Sequence, residues 1–209
     1  MKTIKLIILS SLVISLFSCE KEEKVTETPI VPAAETPINA FDSINLGNHN
    51  STEFGSFLNL KTGTVYSLLT DPKGIDNQSN VDLVYYYNNI NHTDPFLGAP
   101  TTAGSNNATG GIYDDLVNGI NLWTVVNNTE ISLMQDVSTA EFNNIDNLSE
   151  LKAEWGTFDI GLHYEYAVSS DKIYRFKTFD NKIGLLKINT IVGSGQTIGT
   201  MNVSVKVQQ

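Results

Sequence analysis

Near its C-terminus the chain alternates without interruption. Met201, Val203, Val205 and Val207 are interleaved with Asn202, Ser204, Lys206 and Gln208. A period of two puts every second side chain on one face of an extended strand, which an amphipathic helix cannot accommodate. The pattern therefore demands a sheet, and the residues upstream supply its neighbours. Residues 172–179 and 182–192 are rich in aliphatic and aromatic residues and meet across Asp180-Asn181, while Gly193-Ser194-Gly195 leads into 197–207. Asx and glycine turns between such runs predict a three-stranded antiparallel meander with one dry face and one wet face.

The same signals recur toward the N-terminus. Residues 54–60 and 64–70 flank Lys61-Thr62-Gly63 as a short hairpin. The run VDLVYYY over 81–87 and the segment 120–127, which contains Trp123, are dense in β-formers and read as further strands. One segment breaks the pattern. Ser138-Thr139-Ala140-Glu141 has the form of a capping box, and Phe142, Ile145, Leu148, Leu151 and Trp155 follow at helical spacing up to Gly156. This predicts a single helix over about 139–155. The expected class is mainly β: one antiparallel β-sandwich or barrel-like domain over 41–209, closed by that helix.

Catalytic chemistry finds little material in the sequence. His49, His92 and His163 are far apart, no H-x-x-x-H spacing occurs, and neither a G-x-S-x-G elbow nor a phosphate loop is present. We therefore expect no catalytic residues and no enzymatic activity. Residues 76–82, DNQSNVD, place oxygen ligands at alternate positions as a calcium loop does. Val81 stands where such a loop needs glycine, and Tyr87 where it needs glutamate, so the segment reads as an Asx-rich turn and no metal site is expected. The net charge of −10 opposes binding to nucleic acid.

Residues 92–113, HTDPFLGAPTTAGSNNATGGIY, form the longest stretch without a regular pattern. A loop of that length in a compact domain is either a cover for the core or a binding element. Aromatic rings beside amide side chains suit a sugar ring or a flat cofactor, which makes Tyr87, His92, Phe96 and Tyr113 the candidate ligand-binding residues.

The first residues set a different constraint. Lys2 and Lys5 precede an apolar run from Leu6 to Phe17 that is too short to cross a bilayer as a helix, as in an export signal. It ends in Leu16-Phe17-Ser18-Cys19, which resembles the bacterial lipobox, whose cysteine is diacylated on sulfur and becomes the mature N-terminus. Residues 1–18 are then the signal peptide and Cys19, the chain's single cysteine, is the lipid anchor. With one cysteine no intrachain disulfide can form, so the exported domain is held by its core alone. Residues 19–40 carry the charged run Glu20-Lys21-Glu22-Glu23-Lys24, then Pro29, Pro32 and Pro37, and read as a flexible stalk. The charged run looks like the signal that sends Bacteroidota lipoproteins to the outer face of the outer membrane. Asp42-Ser43-Ile44 matches the short O-glycosylation pattern of the same phylum, at Ser43.

Two further stretches carry a resemblance. FLNLKTGTVY with NVDLVYYY, and KIYRFKTFDNKIGLLKINTIV with TMNVSVKVQ, are similar to the opening and closing strands of the HmuY-like outer-membrane lipoproteins. The resemblance covers about a third of the chain. It implies a mainly-β domain that binds haem through a pair of side chains and delivers it to an outer-membrane receptor, such as one of the TonB-dependent type. His92 and His163, with Met134 as a substitute, are the residues that could supply the pair. A glycan-binding lipoprotein of an uptake complex and a structural or adhesive surface protein without a small ligand are the alternatives.

Overall fold

The computed structural model describes residues 35–87, 94–103, 113–114, 117–157, 161–193 and 198–209. All of these belong to one compact unit, Ala34–Gln209. The architecture is mainly β, with two antiparallel sheets of five strands each. The first sheet has the order β1 (Ile38–Gly47), β10 (Thr200–Gln208), β9 (Ile183–Val192), β8 (Ile173–Lys177), β6 (Glu130–Met134). The second has the order β3 (Val65–Tyr66), β2 (Phe57–Leu58), β4 (Leu83–Tyr87), β5 (Pro95–Gly98), β7 (Tyr164–Tyr166).

The expected meander is present as β8–β9–β10, and β1 extends it by pairing antiparallel with β10. Residues 38–40, assigned to the stalk from sequence, are therefore the first residues of a strand. Ser43 sits in a bulge of β1, where the register slips between Phe41 and Ile44, and its backbone is left-handed at φ 56°. Its side chain is exposed. The β2–β3 hairpin also forms across the expected turn. Gly63 supplies its positive φ, 69°, and lies so close to Phe41 that a Cβ there would stand 2.9 Å from the ring.

The core falls into three clusters, and their arrangement explains the sequence patterns. Between the sheets, Leu83, Tyr85 and Tyr87 of β4 pack with Leu46, Phe176, Leu186, Ile188, Val203, Val205 and Val207. The intervening residues of β4, Val84 and Tyr86, point to the other side. There they join Phe57, Phe96, Ala103, Tyr113, Ile120 and Trp123. A strand with both faces covered has no wet side, so VDLVYYY shows no alternation.

The third cluster lies on the outer face of the first sheet. Phe142, Ile145 and Leu151 cover Ile173 and Leu185. The face of β10 expected to be wet is consequently roofed, and Ser204 and Lys206 are buried at 5 % and 8 % exposure. The roof is two helices and not one: α2 (Thr139–Asn144) and α3 (Leu148–Trp155), which follow the four-residue α1 (Pro100–Ala103). The capping box at Ser138 and Glu141 starts α2 as expected. Ile145 then turns extended, and Asn147 caps α3 by accepting the Glu150 N–H at 3.0 Å, so a second start signal inside the apolar stripe divides it. Gly156, at φ 71°, ends α3. The chain enters the domain against this corner, where Leu148 N–H donates to Thr36 O at 2.9 Å and Asn147 Nδ2 to Glu35 at 2.5 Å.

Two further expectations are corrected. Residues 120–127 are not a strand. Ile120–Leu122 is a single 3-10 turn, and the extended residues after it bond to side chains instead of to a sheet. Gln78 Oε1 accepts the Thr124 and Val125 N–H groups at 2.6 and 2.8 Å, and Asn127 Nδ2 donates to Ser79 O and Val81 O. Residues 92–113 are not one irregular loop either, since β5 and α1 lie within them.

The free edges of the two sheets meet at β6 and β7. Ile131 N–H donates to Leu162 O at 3.1 Å, and Leu133 N–H to the Glu165 carboxylate at 3.0 Å. This seam gives the sandwich its partly closed, barrel-like character.

Candidate functional site

β1 ends at Gly47, and the chain then crosses the end of the sandwich through Asn48 and His49. Asn48 N–H donates to Gly199 O at 2.8 Å, fixing this crossing to the start of β10. Ser51 Oγ accepts the Phe54 N–H at 3.2 Å, and Ser67 Oγ accepts those of Leu69 and Thr70, so two hydroxyl-stabilised turns face each other. Between them is a cleft of about 80 Å³ lined by His49, Ser51, Phe54, Ser67, Leu69 and Tyr113, among others. The lining is rich in hydroxyls over an aromatic floor. A cleft of about 80 Å³ is well under the roughly 300 Å³ from which small-molecule pockets start, and it accommodates a small polar group and not a porphyrin.

The floor is rigid. Tyr113 is fully buried, and its hydroxyl donates to Tyr85 O. Its ring lies edge-on to His49, with centroids 6.3 Å apart, and 5.1 Å from Phe57. Burial raises the Tyr113 phenol above its ordinary range, which keeps it neutral.

The other described residues singled out from sequence as ligand candidates occupy four different places. Phe96 is 8 % exposed and stacks on Tyr86 at 5.3 Å and on Tyr164 at 6.1 Å, on the outer side of the second sheet. Tyr87 lies between the sheets and donates its hydroxyl to Gly193 O at 3.3 Å. Among the described residues, Tyr113 is therefore the one member of the expected ligand-binding set that lines the cleft. His92 and Cys19 lie outside the described residues.

His163 is at the seam. Its Nδ1 donates to Thr129 O, and its Nε2 accepts from the Asn128 side-chain amide, each at 3.2 Å. Thr101 fixes the orientation of that amide by donating to Asn128 Oδ1 at 2.8 Å. Both ring nitrogens are engaged, which is how a structural histidine is held. Met134 lies at the far end of β6, packed under the helices. Thr129 and Met134 are separated by about 16 Å of extended chain, so His163 and Met134 do not converge on one ligand. Among the described residues no group of three or more histidines, cysteines, aspartates or glutamates is placed to hold a metal ion.

Sequence reasoning missed His49, because a lone histidine in NHNST carries no local motif. It missed Asp82 for another reason, reading it as the end of an Asx-rich turn. The carboxylate is fully buried, and burial pushes it from 3.8 up to about 6 against the opposing influence of Lys61 and of the Leu60 N–H. Compared with protein-family profiles, with curated proteins and with solved structures, the chain finds no match in any of the three.

Proposed function

We propose that this is an exported protein, anchored through lipid on Cys19 to the outer membrane and exposed at the cell surface, where it acts as a binding or accessory protein. The observation that carries the reading is the junction Leu16-Phe17-Ser18-Cys19, placed where an apolar run too short to span a bilayer ends and a charged, proline-bearing segment begins. Binding is favoured over catalysis because the sequence holds no nucleophile elbow, phosphate loop or paired histidines. The fold is compatible with this role, being a sandwich that buries its core without disulfides and leaves a cleft at the end where β1 stops.

For the ligand, the HmuY-like reading makes haem the first candidate and a TonB-dependent receptor the partner. With His163 tied to Asn128 and Thr129, haem ligation on this chain turns on His92. The hydroxyl-lined cleft favours a second reading, in which the terminal group of a glycan is bound beside His49.

Replacing Cys19 by alanine should release the protein from the membrane fraction or leave it as precursor. Normal maturation and membrane retention of that variant would refute the anchor. Mixing the purified protein with haemin separates the ligands. A shifted Soret band that disappears in His92→Ala supports haem, whereas no shift together with retarded migration in polysaccharide gels supports glycan. Inertness in both assays leaves a structural surface protein.

A further inference from the structure

Asp82 stands just ahead of β4 with its side chain wholly buried. Its backbone N–H donates to Leu58 O at 2.8 Å, and its Oδ2 accepts the Leu60 N–H at 2.9 Å. Among the described residues no donor reaches Oδ1. A buried carboxylate with a single donor is a costly anion, because it has given up water for very little.

The charged groups that face it come from two turns, Lys61 after β2 and Asp180 between β8 and β9. Lys61 Nζ makes its close contact with Asp180 at 3.1 Å and not with Asp82. Thr178 donates to the other Asp180 oxygen at 2.5 Å, and Asn39 Nδ2 of β1 donates to Lys61 O at 3.2 Å. The start of β1, the β2–β3 turn and the β8–β9 turn thus meet beside one poorly solvated carboxylate. Those elements belong to different sheets.

We propose that Asp82 is a proton-binding site at this junction of the two sheets, and that the junction holds more firmly with Asp82 protonated, in mildly acidic surroundings, than with it ionised at neutral pH. The pKa rise to about 6, caused first by burial, is consistent with that geometry. In the unfolded chain the carboxyl loses its proton near 3.8, and in the folded domain near 6. Between those values the folded state holds a proton that the unfolded state has released. The contribution of Asp82 to stability is therefore fully present below about 4, falls as pH rises to about 6, and is level above. A shift of roughly two pH units corresponds to about a hundredfold change in the folding equilibrium constant.

Other carboxylates also contribute to the pH profile. Glu165 is raised by burial and shares the sign, while Glu141 and Asp180 are lowered and oppose it. The test is therefore a comparison of variants. Urea unfolding of the full chain in detergent, from about pH 4 to about pH 8, is measured for the wild type and for Asp82→Asn, which keeps an acceptor for Leu60 and cannot ionise. The wild-type folding constant should fall about a hundredfold more across that range than the variant's. Equal pH slopes would overturn the proposal. If Asp82→Asn fails to fold, Lys61→Met decides. Among the described residues that partly exposed side chain is the cation acting on Asp82, so its removal should move the midpoint of the stability loss to higher pH, and an unmoved midpoint would overturn the proposal.

Discussion

Lys206 shows what a single residue can and cannot tell in this chain. Alternation puts it on the polar face of β10, and that much is correct. What covers that face is not written in the strand. The ammonium donates to Asn143 O at 3.0 Å and to Ile145 O, the carbonyls that end α2, and lies 5.5 Å from the Phe142 ring centroid. A cation there satisfies groups that a helix terminus leaves unpaired. Lys206→Met keeps the aliphatic stem and removes only the donor. It should cost about 1–3 kcal/mol, read as a lower urea midpoint with an unchanged slope. A neutral result would mean that water satisfies those carbonyls. Tyr113 was equally illegible. It follows a stretch rich in Gly, Asn and Thr that reads equally as a binding element or as core cover, and it is buried among Phe57, Tyr86 and His49. Sequence identified an aromatic residue of consequence, but only the packing shows that it is a floor to the cleft and not an arm reaching for a ligand.

Elements were legible in proportion to their length and to how one-sided they are. The strands β8, β9 and β10 announce themselves because turns of Asx and Gly separate long apolar runs. Strands such as β6 and β7 pair with β8 and β5, partners distant in sequence that no tight turn announces. Residues 120–127 have strand composition, but the Gln78 and Asn127 side chains satisfy the backbone locally and remove the need for a partner strand. In the helical layer, the first cap was readable and the second, Asn147 with Glu150, was hidden within a continuous apolar stripe. That layer also ranks its own residues. Leu151 is fully buried, so Leu151→Ala should cost about 2–5 kcal/mol. Trp155 is half-buried, with Nε1 donating to Phe176 O at 3.0 Å, and Trp155→Phe should cost only about 1 kcal/mol. Thermal melts of the two variants check the order, and a reversed order would show that α3 is fastened at its end and not along its face.

At the scale of the whole molecule, the sandwich explains how a chain with one cysteine holds together. Three apolar clusters, one between the sheets and one outside each, do the work that disulfides do in smaller exported domains. The chain enters the fold beside α3, while the His49 cleft lies where β1 ends. A ten-residue strand spans about 30 Å, which separates Ile38 from the candidate site. The central claim is that this domain is carried on lipid at Cys19, and the most direct measurement is mass spectrometry of the N-terminal peptide of the protein purified from membranes. The account predicts a peptide that begins at Cys19, lacks residues 1–18 and carries a diacylglyceryl group on sulfur. A mature N-terminus at any other residue, or a Cys19 with a free thiol, would contradict it.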